Sequence, residues 1–126
     1  MANNYLRQIN TIPNFGIDVL VDAGVEGGVP VGDNSLATML PNCAVIRGAI
    51  LRNSRNDLEG ASATVQIKVG DTALGTSATN ASDIKGKSVV VALETPVVLT
   101  EDADVILTVA GGALTAGTLD VILLYV

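Results

Sequence analysis

The stretch LTVAGGALTAGTLDVILLYV, Leu107 to Val126, holds two apolar runs separated by Gly111-Gly112 and Ala116-Gly117. Val105, Leu107 and Val109 recur at every second position in the first run. Leu119, Val121, Leu123 and Tyr125 do the same in the second. A period of two is the signature of a half-buried strand. The glycines supply the conformational freedom of a connection, so the stretch reads as a β-hairpin. The other face of the second run, Ile122, Leu124 and Val126, is apolar as well. A loop, the N-terminal segment or a neighbouring subunit must cover it. The neighbour is the favoured cover, which makes Ile122, Leu124 and Val126 a candidate oligomer interface.

The same period recurs upstream. In FGIDVLVD, Ile17, Val19 and Val21 share a face, with Asp18 and Asp22 on the other. In ATVQIKV, Val65, Ile67 and Val69 alternate with Thr64, Gln66 and Lys68, and Gly70-Asp71 then turns the chain into a short strand at TALG. CAVIRGAILRN, SVVVAL and PVVLT read as further strands, and Pro96 places its run at an edge or a strand start. Seven or eight short strands with turn residues between them predict an all-β fold: a single antiparallel β-sandwich, jelly-roll-like or barrel-like. The longest loops are expected at AGVEGGVPVGDNSLATMLPN and GTSATNASDIKGK. Within the first, Ser35 to Leu40 reads either as loop or as one helical turn, capped by Asn34 or Ser35 and stopped by Pro41.

Residues 1–14 differ in character and are assigned to an extended N-terminal arm, with the sandwich domain at residues 15–126. MANNYLRQINTIPNFG is polar, contains Pro13 and gives Tyr5, Leu6, Ile9 and Ile12 no common face. It is either a lead-in that packs along the sheet or an arm that lies on another subunit or protein.

Composition narrows the function. Of 126 residues, 48% are hydrophobic but only three are aromatic, Tyr5, Phe15 and Tyr125, so the aromatic walls of an ordinary ligand pocket are missing. The net charge is -6 and the seven basic residues are scattered, which argues against nucleic acid. No apolar run reaches the ~18–20 residues of a membrane helix, and no signal peptide is evident at the start. The chain contains no His, the commonest general base and metal ligand, so no enzyme activity and no cofactor are expected. Cys43 stands alone and is expected to be a small buried hydrophobe.

The remaining motifs dissolve on inspection. DIKGKS has Ala81 where a phosphate-binding loop needs Gly, and a strand follows where a helix should. EDAD, Glu101 to Asp104, lacks the spaced ligands and Gly of a calcium loop and reads as a solvated turn. Asn80-Ala81-Ser82 fits a glycosylation sequon but carries no meaning without a secretion signal. Arg47, Arg52 and Arg55 form the one basic concentration. They are either a solvated strand end and loop or a surface that meets an acidic partner, since guanidinium pairs well with carboxylate.

TPVVLTEDADVILTVAGGALTAGTLDVILLYV, Thr95 to Val126, resembles the C-terminal halves of small β-rich virion proteins of tailed bacteriophages. The shared pattern is a strand, an acidic-Ala turn, a strand ending in small residues and Gly, an ALTAG turn and a final strand closing on an aromatic. ATVQIKVGDTALGTSA, from Ala63, is similar to another segment of that family, so the resemblance spans about half the chain. It implies a capsid decoration or cement protein bound to the major capsid protein, bridging its subunits on the capsid exterior after assembly in the host bacterial cytoplasm. A homo-oligomer, dimer or trimer, fits that role. The expected capsid contacts are Tyr5, Leu6, Arg7, Ile9 and Ile12 on the arm, with Arg47, Arg52 and Arg55. The alternative is a head-fibre or tail-fibre module that binds a host-surface glycan. No nucleic acid and no membrane enter either reading.

Overall fold

A computed structural model describes residues 5–12, 16–75 and 77–126, with side chains given for Leu6 and Ile9 alone within residues 6–12. The chain is all-β, built as two antiparallel sheets in a sandwich-like arrangement. Its elements are β1 (Leu6–Ile12), β2 (Gly16–Asp22), β3 (Gly32–Leu40), β4 (Val45–Arg52), β5 (Thr64–Val69), β6 (Thr72–Ala73), β7 (Thr79–Asn80), α1 (Ala81–Ile84), β8 (Ser88–Val91), β9 (Val97–Val98), β10 (Ala103–Ala110) and β11 (Thr118–Tyr125). One sheet runs β1-β2-β11-β4-β8, with β9 also on β4; the other runs β3-β10-β5-β6, with β7 also on β5.

The predicted alternation builds the core directly. Val19, Val121 and Leu51 lie in one row across β2, β11 and β4, and Ile17, Leu123 and Ala49 in the next. Val105, Leu107 and Val109 meet Val69, Ile67 and Val65 in the opposing sheet. All twelve side chains are buried in one cluster, together with Leu36 and Leu40 of β3. Branched aliphatic residues suit this site because two sheets stack only about 10 Å apart, leaving a thin layer to fill.

Three expectations are corrected. The Leu107–Val126 stretch is not a hairpin, because β10 and β11 belong to different sheets. The segment between them crosses one end of the sandwich, where Leu114 is fully buried and bridges Val29, while Ala116 bridges Glu59. Its glycines permit close packing. Gly117 sits at φ +91°, and a Cβ there would stand 2.3 Å from the Asp57 carbonyl oxygen. Next, the expected loop at residues 23–42 contains the nine-residue strand β3, and Ser35 to Leu40 are strand, not helix. Between Asp104 and Ile106 the β10 register advances by two while β3 advances by four, from Ser35 to Met39. That bulge, with Ala37 at φ 51°, disturbs the alternation that would have marked a strand. Finally, Cys43 is exposed at φ 73°, in the bend between β3 and β4, and the neighbouring Ala44 takes the buried place.

Within the segment assigned to an N-terminal arm, β1 pairs antiparallel with β2 of its own chain from Leu6↔Val21 to Ile12↔Gly16. Tyr5 and Leu6 pack against the core, and the Tyr5 hydroxyl donates to the Ser35 carbonyl of β3 at 2.9 Å. That bond ties the edge of one sheet to the edge of the other. GTSATNASDIKGK, expected as loop, carries β7 and the single turn α1.

Candidate interaction face

The outward faces of the two sheets differ in their share of apolar side chains. On the smaller sheet, Thr64, Gln66, Lys68, Asp104, Thr108 and Asp33 lie between the core positions. Asp33 accepts from the Thr108 hydroxyl at 2.7 Å and from Lys68 Nζ at 3.3 Å. These two donors hold its carboxyl below the usual carboxylate range. That face is wet.

The larger sheet is apolar on both sides. Outward from β11 stand Asp120, Ile122 and Leu124, and Val126 follows; outward from β4 stand Val45, Gly48, Ile50 and Arg52. Ile122, Ile50 and Val90 form one row across β11, β4 and β8. Val126 and Val98 flank Val45 at the end of the sheet, the first by paired backbone bonds and the second in register. Val90, Val98 and Val126 are 70%, 60% and 58% exposed. Ile122 and Leu20 are buried, yet neither belongs to the core cluster. The three residues read from sequence as an oligomer interface, Ile122, Leu124 and Val126, therefore share this outward face.

One corner of the face is charged. Arg52 donates through Nε and Nη2 to Asp120 Oδ2, at 3.1 and 3.0 Å, and the Ser54 hydroxyl reaches the same oxygen at 2.8 Å. Arg52 Nη2 also lies 3.7 Å from Asp18 Oδ2. Asp18 Oδ1 is buried without a hydrogen-bond partner. Burial first, then the negative charge of Asp120, pushes the Asp18 carboxyl above the usual carboxylate range, against the pull of Arg52. Two carboxyls thus compete for one guanidinium inside an apolar surround, which disfavours full ionisation of both.

The basic trio is dispersed. Arg52 is engaged with Asp120, Arg47 is exposed five residues earlier, about 17 Å along the strand, and Arg55 is exposed in the loop beyond. Of the expected arm contacts, Tyr5 and Leu6 face the protein's own core and Ile9 is 45% exposed. The side chains of Arg7 and Ile12 lie outside the described residues, as do Pro13, Asn14 and Phe15. Asp102, in the expected solvated turn, accepts the Asn42 backbone N–H at 2.8 Å and so fixes the bend before β4.

Sequence reasoning missed two features. Asp18 and Asp120 sit 102 positions apart, and only the β2–β11 pairing joins them. A depression of about 320 Å³ lies between the loop at residues 58–63 and α1, and the Lys85–Glu59 ion pair at 2.7 Å is part of its lining. Glu59 holds the Lys85 ammonium above its ordinary range. No family model, curated protein or solved structure matches this chain.

Proposed function

We propose that this chain is a structural virion protein that decorates and stabilises the capsid of a tailed bacteriophage by bridging major capsid protein subunits. The observation that carries the reading is the outward face of the larger sheet, lined by Val45, Ile50, Val90, Val98, Leu124 and Val126. A broad apolar outer face on a small domain serves contact with another protein surface. The resemblance of Thr95 to Val126 to phage virion proteins gives that contact its setting. In this reading β1, the edge strand of the larger sheet among the described residues, presents its outer backbone edge to the capsid, because a strand edge recruits an extended partner segment by main-chain hydrogen bonds.

The glycan-binding alternative needs an aromatic platform, and Tyr5 and Tyr125 are both packed against the core. Copy number in density-purified particles tests the proposal. A decoration protein is expected on the order of hundreds of copies per particle, since closed symmetric shells repeat each position many times. A dozen copies or fewer, or none, would overturn it.

A further inference from the structure

We infer that Asp18 and Asp120 form a proton-sharing carboxyl pair that sets the charge of the larger sheet's outward face, so that the apolar contact made by this face tightens at weakly acidic pH. The inference deepens the decoration reading by adding regulation to the same face. It rests on that reading for the identity of the partner, and on the isolated chain for its test.

Strand register makes the pair. Asp18 of β2 stands opposite Ile122 of β11, and Asp120 of β11 stands opposite Leu20 of β2. The two acids therefore occupy one diagonal of the outward face, and two buried aliphatic side chains occupy the other. The carboxyls lie within hydrogen-bond reach of each other. Asp120 is 5% exposed, and the Asp18 side chain is 21% exposed. The row through Asp18 continues into Ile122, Ile50 and Val90, so a charge on Asp18 borders the apolar centre of the face.

The donors are divided unequally between the two acids. Arg52 Nε, Arg52 Nη2 and the Ser54 hydroxyl all reach Asp120 Oδ2. Asp18 has Arg52 Nη2 at 3.7 Å, and its Oδ1 is buried without a partner. Negative charge is therefore best placed on Asp120 and a proton on Asp18, whose protonated carboxyl donates to its neighbour. The pair takes up its first proton as a unit. With both acids ionised, Asp18, Asp120 and Arg52 together carry one net negative charge; with one proton bound they carry none. No other cation is placed against either carboxyl among the described residues. On β2, Asp22 accepts the Gly24 N–H at 2.8 Å. β1 contains one charged residue, Arg7, whose side chain lies outside the described residues. β4 adds the exposed Arg47, and the loop after it adds the exposed Arg55 and Asp57. β8 contains no charged residue and is preceded by the exposed Lys87.

Contact and protonation are linked through water. A partner that covers the face takes water from the open side of Asp18, which penalises the ionised form and favours the proton further. Covering the face is thus coupled to uptake of one proton. Affinity is greatest below the Asp18 titration of the free chain. It falls as pH rises through that titration, by up to about tenfold per pH unit, until the covered form loses its proton as well.

Two measurements on the purified chain test this. The first follows the carboxyl carbon shifts of Asp18 and Asp120 by NMR as pH is lowered from neutral. The expected result is an Asp18 step above the usual carboxylate range, with the Asp120 shift responding at the same pH. Asp120→Asn removes the neighbouring charge and leaves Arg52 to Asp18, so the Asp18 step moves to lower pH. Ser54→Ala, at an exposed position, is the milder variant should Asp120→Asn fail to fold. It takes one donor from Asp120 and passes more of the proton to it, which enlarges the Asp120 response at the Asp18 step. The second measurement is retention on a phenyl-substituted matrix at constant salt, with the matrix as the apolar probe. Parent retention should rise as pH falls through the Asp18 step. Asp18→Asn should be held at neutral pH as strongly as the parent is at weakly acidic pH, with no step between. The inference is overturned by carboxyls that titrate without any response in each other, by an Asp18 step that Asp120→Asn leaves in place, or by retention whose pH dependence survives in Asp18→Asn. Any of these leaves the decoration reading standing, and low copy number on particles would refute that reading without touching the pair.

Discussion

Asn53 is the most consequential polar side chain in the described structure. It is 7% exposed and uses all of its hydrogen-bonding capacity. Its Nδ2 donates to the Asn56 and Thr118 carbonyls at 2.7 and 2.6 Å, and its Oδ1 accepts from the Leu58 and Gly86 amides at 3.1 and 2.8 Å. One amide therefore joins the end of β4, the loop after it, the start of β11 and the turn before β8. Replacing it by Ala strands two carbonyls and two N–H groups. At about 1 kcal/mol net for each lost bond, the cost is about 4 kcal/mol. For a chain of this size that lowers the melting temperature by roughly 15 °C. Asn53→Asp sharpens the test. It keeps both acceptor bonds but turns an oxygen toward two carbonyl oxygens, so the new carboxyl titrates above its unfolded value. Its stability deficit should shrink as pH falls from neutral to about 4, where the protonated group can again donate one bond. Thermal and urea unfolding followed by far-UV circular dichroism measures both variants. A loss under ~1 kcal/mol for Asn53→Ala would mean that water replaces the amide and that the four segments are not held through it.

The other predictions concern single sites. Gly117→Ala combines φ +91° with a backbone clash at 2.3 Å, so it should cost at least ~3 kcal/mol or abolish soluble expression; a melting curve within a few degrees of the parent's refutes the close approach of Asp57. For Asp18, whose folded carboxyl is raised, stability is fully present below the unfolded value and is lost as pH rises through the folded value. Asp18→Asn should remove that loss, giving a flatter stability profile across weakly acidic pH and a melting temperature at neutral pH no lower than the parent's. A variant that follows the parent's profile in parallel would show that another group is responsible.

What could be read from sequence depended on whether a signal was local. The alternation of Ile17, Val19 and Val21, of Val65, Ile67 and Val69, and of Leu119, Val121 and Leu123 is a property of neighbouring residues, and each set lies in the core as expected. Strand β3 escaped because its bulge breaks the period of two at Ala37 and leaves Leu36 and Leu40 four apart, a spacing that a helix also uses. The supposed hairpin at Leu107–Val126 shows a second limit. Gly111-Gly112 and Ala116-Gly117 look the same whether they turn a chain back on itself or let it slip beneath another loop. The candidate face divided along the same line. The apolar outer residues of β11 were legible within eight positions, but the ion cluster needs Asp18, Arg52 and Asp120 from three distant segments and was not.

The position of β11 between β2 and β4 also bears on the order in which the protein can form. During synthesis β2 is complete at residue 22, but the strand that pairs with its inner edge begins at residue 118. At about 5–20 residues per second, β2 waits roughly 5–20 s for that partner. For that time the larger sheet is two halves with apolar edges open to the cell. Pairings of such long sequence separation also close slowly, on the millisecond-to-second scale. The nascent chain thus carries β2 and β4 without their shared neighbour until β11 inserts, and temperature during expression should govern soluble yield more strongly than the finished fold's own stability would suggest.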